Sequence, residues 1–130
     1  MEVNLVDAFE SSASCYSMQE DNIMHIFNKP RAVHSKQDAI ENIMMLREMT
    51  RGVPPRLLID VTHIKSISRE AREVYANEGN EKRVIAVALL TRSTVGRIVG
   101  NFFIGFNRPQ VPTKLFEDEL RAREWLKAQQ

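Results

Sequence analysis

Two stretches of this chain are apolar over strand length without alternating, and each is followed by a segment of helical period. They are Arg56-Leu57-Leu58-Ile59-Asp60-Val61 and Arg83-Val84-Ile85-Ala86-Val87-Ala88-Leu89-Leu90. A strand with one wet face would alternate polar and apolar residues, so runs like these belong to strands covered on both faces. Strands joined through a helix pair in parallel, because the crossover returns the chain to the same edge of the sheet. The first run is therefore expected to lie centrally in a sheet that carries helices.

The segments around the two runs supply the remaining elements. Near the amino terminus, residues 12–18 and 23–27 read as two strands joined at Gln19-Glu20-Asp21-Asn22, and Asn28-Lys29-Pro30 ends this hairpin. Ser35 reads as a helix N-cap with Asp38 three positions on, and Ala39, Ile40, Ile43, Met44 and Leu46 recur at helical spacing. The helix covers 36–51 and stops at Gly52 and Pro54-Pro55. Met45 and Met49 widen its apolar face, as adaptable core packing or as a contact surface. After a connector over 62–67, Ser68 caps a second helix reaching about Glu78, with Ala71, Val74 and Tyr75 inward and Gly79 in the segment that closes it.

Beyond Leu90 the period changes. Val95, Ile98, Val99, Phe102, Phe103 and Phe106 form a stripe that only a helix places on one side. Gly96 and Gly100 lie one turn apart on another face, and glycine in a helix costs about 1 kcal/mol relative to alanine, so close packing, at an interface or within the fold, a bend or a ligand contact is expected to compensate. A loop with Pro109 and Pro112 leads to a short strand at Lys114-Leu115-Phe116. Glu117-Asp118-Glu119 then open a last helix with Arg121, Arg123 and Lys127 towards its other end, and Ala122, Trp125 and Leu126 along its apolar edge. The expected architecture is α/β, in the order β-β-α-β-α-β-α-β-α. About five strands form one mixed sheet covered by four helices, in a single domain over 1–130 whose first 28 residues are the hairpin.

Composition narrows the class of function. Eighteen Lys plus Arg against seventeen Asp plus Glu leave a net charge of +1 over 130 residues, which provides no field for nucleic acid or an anionic membrane. The acidic start Met1-Glu2-Val3-Asn4-Leu5-Val6-Asp7 is unlike a signal peptide, and the longest apolar run, 84–90, is far short of the roughly twenty residues that span a bilayer. The single cysteine, Cys15, excludes an internal disulfide and suits a cytoplasmic setting.

The usual devices of catalysis and cofactor binding are missing from the sequence. His25, His34 and His63 are expected on a strand, in a loop and in another loop, without zinc-ligand spacing, and Cys15 has no Cys-x-x-Cys partner. Neither nucleotide-binding glycine motif occurs, nor does Gly-x-Ser-x-Gly. Asp60 and His63 stand near the carboxyl end of a central strand, where open α/β sheets place functional groups, but an aspartate there serves a turn equally well. Ser66 and Ser68, at the start of the second helix, could receive a phosphate, bound or covalent; the simpler reading is that Ser68 caps the helix and Ser66 shapes the loop. No metal and no cofactor are expected.

From Arg56 onward the chain resembles the SpoIIAA-like bacterial proteins of the STAS/SEC14-type superfamily. The resemblance rests on Leu58-Ile59-Asp60, then Ser66-Ile67-Ser68-Arg69-Glu70-Ala71-Arg72, then 84–90, Gly100-Asn101-Phe102-Phe103, Phe116 and Ala122-Arg123-Glu124-Trp125-Leu126. In the anti-sigma-factor antagonists of that superfamily, the first serine of an Asp-Ser-Ser-Gly motif is phosphorylated by a partner kinase. The matching stretch here is Ser66-Ile67-Ser68-Arg69, with Ile67 at the phosphoacceptor position, so only a shifted site at Ser66 or Ser68 remains. The resemblance implies a non-enzymatic regulatory or protein-interaction domain with a protein partner, or with itself as a homo-oligomer, expected to be a dimer, using Met45, Met49 or the Gly96/Gly100 face. The alternative is a small-molecule or lipid-binding module with its pocket between the Val95 to Phe106 helix and the sheet. An enzyme acting through Asp60 and His63 ranks last.

Overall fold

The computed structural model describes residues 8–10, 14–19, 22–29, 32–49, 54–78, 84–107 and 111–129. Eight strands and four helices occupy them: β1 Ala8–Glu10, β2 Ser14–Gln19, β3 Ile23–Asn28, β4 Ala32–His34, α1 Lys36–Met49, β5 Arg56–Asp60, β6 Ile64–Ile67, α2 Arg69–Glu78, β7 Ala86–Leu90, α3 Thr94–Asn107, β8 Thr113–Phe116 and α4 Glu119–Ala128. The main sheet has the order β1-β2-β3-β5-β7-β8, antiparallel from β1 to β3 and parallel from β3 to β8. Both apolar runs supply interior strands, as their pattern requires, and every residue of β7 is buried.

The strand count exceeds the sequence expectation by three. β1 adds an edge to the hairpin, while β4 and β6 pair in parallel as a separate two-stranded sheet. His34 is thus the last residue of a strand rather than part of a loop, and the supposed connector over 62–67 contains β6. Both strands are three or four residues long, and Ile64-Lys65-Ser66-Ile67 has no period of two, so neither carries a strand signature. Residues 20–21, Pro30, Gly52, Gly79, Arg83 and Pro109, together with the side chains of Cys15, Met49, Tyr75, Phe103 and Phe106, lie outside the described residues.

Helix starts follow local chemistry closely. Ser35 and Asp38 cap α1 reciprocally: the Ser35 N–H donates to the Asp38 carboxylate at 2.9 Å, and the Asp38 N–H donates to Ser35 Oγ at 3.2 Å. Ser68 Oγ accepts from the Ala71 N–H, Ser93 Oγ from the Gly96 N–H and Asp118 Oδ1 from the Leu120 N–H, so α2, α3 and α4 are capped in the same way. The β2–β3 turn uses Asn22 at φ 56°, a left-handed conformation that asparagine tolerates, with its amide donating to the Pro54 carbonyl.

Successive parallel strands step in one direction across the sheet, so crossovers of one hand carry α1, α2 and α3 on the same side. α4, after the last strand, covers the opposite side and packs on β5, β7 and β8. Pleating then separates two cores. Met24, Ile26, Leu57, Val87 and Leu89 point to the three-helix side; Ile23, Leu58, Ala86, Ala88 and Leu90 point to α4 and meet Ala122 and Leu126. Arg56 donates twice to the Gln129 carbonyl, at 3.2 and 2.8 Å, and pins the carboxyl end of α4 to the start of β5.

Candidate functional site

The carboxyl ends of β3, β5, β4 and β6 gather the polar groups of the domain at one edge. Asn28 ends β3 and is buried; its amide donates to the Asp60 carbonyl at 3.0 Å. Asn28 Oδ1 is therefore an acceptor, and His34 Nε2, 2.6 Å away, must carry the proton that joins them. His34 Nδ1 then holds a lone pair and receives the Asn42 amide from α1 at 3.4 Å. The His34 carbonyl accepts from the Ser68 N–H at 2.8 Å. Burial pushes the imidazole below its usual 6.5, with Asp38 opposing the shift, and this directional chain is that of a neutral ring. It ties the small sheet, α1 and the start of α2 to the edge of the main sheet.

On the other side of β3 stands a second histidine. His25 pairs in register with Leu58 and points towards α4. Burial lowers its affinity for protons; Glu119 opposes this, Arg123 reinforces it and Asp60 opposes it more weakly. The Phe27 ring meets it edge-on at 5.4 Å. Each nearby carboxylate has its own donor: Arg123 Nε binds Glu119 at 3.1 Å, and the Thr62 N–H binds Asp60 Oδ1 at 2.8 Å. This arrangement holds a neutral imidazole and fixes turns; it aligns no nucleophile with a base.

The residues singled out from sequence are dispersed. Asp60 forms the turn with Thr62, and His63 is exposed in that turn. Ser66 is exposed on β6, whereas Ser68 is half-buried with its hydroxyl engaged as the α2 cap. Met45 is half-buried against the core. Gly96 and Gly100 are buried against the sheet. A Cβ at Gly96 would lie 2.8 Å from the Val61 carbonyl oxygen, and one at Gly100 would lie 2.8 Å from Leu115 Cδ1. At these two points α3 comes close to the rest of the core, and both glycines are away from the surface.

With the glycines inward, part of the apolar stripe of α3 faces outward. Val99 is buried, but Val95 and Ile98 are 42% and 66% exposed, and Phe102 receives the Arg72 guanidinium of α2 at 5.7 Å. Sequence reasoning missed this orientation and also missed Asn28, His34 and Asn42 as a group. Their only common signal is a polar residue at the end of a strand or within a helix face that packs inward. A groove of about 510 Å³ runs between α1 and α2, lined by Lys36, Ile40, Ile43, Met44 and Arg47 on one wall and by Glu70, Glu73 and Val74 on the other.

Among the described residues, no helix is long and apolar enough to cross a membrane, and no three His, Cys, Asp or Glu side chains group as metal ligands. Residues 16–130 match the family model described as a domain of unknown function, DUF7793. The crystal structure of an uncharacterised protein of the DUF3478 family with a SpoIIAA-like fold, from Shewanella loihica PV-4, superposes with a TM-score of 0.65 at 20% identity. It covers 91% of this chain and 98% of its own. The fold is therefore SpoIIAA-like. A protein of unknown function from Arthrobacter sp. FB24 is 24% identical over 91% of this chain and 95% of its own, with a TM-score of 0.35. No curated protein is significantly similar to the chain.

Proposed function

The chain belongs to the DUF7793 family, and from that membership and its SpoIIAA-like fold we propose a non-enzymatic, STAS-type protein-interaction domain whose partner is a second copy of itself. One contrast supports this most. The polar groups at the carboxyl edge bond to one another, while large apolar side chains remain outside on the three-helix side, with Met44 62% and Ile98 66% exposed. Apolar residues exposed beside one another mark association sites, and Met44 stands with Ile40, Ile43 and Val74 along one groove. Ser66, exposed on β6, is the hydroxyl a kinase can modify without breaking a helix cap, which makes it the better of the two serines for regulation.

Sedimentation velocity over a concentration series, paired with native mass spectrometry, tests the proposal. A monomer–dimer equilibrium with no bound adduct is expected. A monomer at every concentration that carries a small-molecule adduct would replace it with the ligand-binding alternative.

A further inference from the structure

The self-association just proposed needs a surface, and the groove between α1 and α2 has the charge pattern of one. Lys36, Ile40, Ile43, Met44 and Arg47 repeat along one stripe of α1, with basic residues at both ends and apolar ones between. The facing wall on α2 carries Glu70 and Glu73 beside Val74. Both helices leave the carboxyl edge of a parallel strand and return the chain to the amino edge, so they run in the same direction. Lys36 and Glu70, each in the first turn of its helix, therefore lie at the same end of the groove.

We infer that a second copy of the chain covers this groove through a two-fold axis running along it. Two identical surfaces can stack face to face about an axis across the groove or along it. An axis across the groove sets α1 antiparallel on the partner's α1 and brings Lys36 towards the partner's Arg47, while the acidic walls of α2 also meet. An axis along the groove sets each α1 on the other copy's α2, so Lys36 of each copy faces the partner's Glu70 and Ile40, one turn further on, lies over the partner's Val74. Only the second arrangement joins unlike charges, and it sets the apolar middle of the α1 stripe against the partner's Val74.

The test is sedimentation velocity at low salt on the full chain with Lys36→Glu, with Glu70→Lys and with both substitutions together. Lys36 and Glu70 are exposed, so the fold tolerates either reversal. Each single reversal acts twice per dimer and is expected to weaken dimerisation about tenfold or more, whereas the double variant restores it to within about threefold. A dimer insensitive to these reversals but broken by Ile98→Asp would overturn the groove and move the interface to α3, leaving self-association in place. A monomer at all concentrations would overturn self-association itself, and a small-molecule adduct lost on Met44→Asp would give the groove a different occupant.

Discussion

The two sides of the main sheet use their apolar residues differently. On the α4 side most are taken up by the core: Ile23, Leu58, Ala88, Ala122 and Leu126 are fully buried or nearly so, Trp125 leans on Phe116 at 5.6 Å, and Leu120 and Phe27 are the large apolar residues left exposed among those described. On the three-helix side the core is joined by a buried polar chain through Asn28, His34 and Asn42, α3 approaches through glycine, and Val95, Ile98 and Met44 stay outside. One side is built to be closed. The other keeps more apolar surface available, and the contact we propose between two copies lies there.

The largest expected effect tests the closed side. Leu126→Ala removes a fully buried side chain from between α4 and the sheet, and is expected to cost about 2–5 kcal/mol in urea unfolding. A loss near that of a surface substitution would mean that α4 does not seal this face. A smaller effect is expected on the other side from Gly96→Ala, because the new methyl would collide with Thr91 Oγ1 and stand 2.8 Å from the Val61 carbonyl oxygen. The hydroxyl can rotate, but the backbone oxygen cannot move as cheaply. Overpacking of about 1–3 kcal/mol outweighs the helix-propensity gain of about 1 kcal/mol, so thermal unfolding is expected at lower temperature, while Ile98→Ala leaves it nearly unchanged.

A third, smaller effect is one of pH. His34 and His25 both bind protons less readily in the folded state than the usual value of 6.5, mainly through burial. The unfolded chain then holds more protons, so stability rises with pH across this window. The contribution is fully present above about pH 6.5 and is lost as pH falls towards the folded values. Denaturant unfolding at several pH values is expected to show that slope, and His34→Gln to flatten it while lowering stability at neutral pH. A slope unaltered by His34→Gln would show that the buried imidazole does not titrate on unfolding.

Much of the closed side was readable from the sequence, and much of the open side was not. Unbroken apolar runs marked β5 and β7, Ser35 and Ser68 marked the starts of α1 and α2, the acidic run 117–119 marked the start of α4, and Ala122, Trp125 and Leu126 marked its packed edge. Apolar periodicity on α3 marked a stripe without saying which way it faces; Gly96 and Gly100 decided that, since a helix without side chains on one face packs there most closely. β4 and β6 were hidden because short parallel partners need no alternation of their own. The His34 chain was hidden because Asn28, His34 and Asn42 lie on three different elements and only the fold brings them together.

The most direct measurement is a dilution series of two-dimensional ¹⁵N–¹H spectra of the full chain. Dimerisation through the three-helix side predicts concentration-dependent shifts at Ile40, Ile43, Met44, Glu70 and Val74, with the amides of α4 unmoved. Shifts centred on α4, or none across the series, would contradict it.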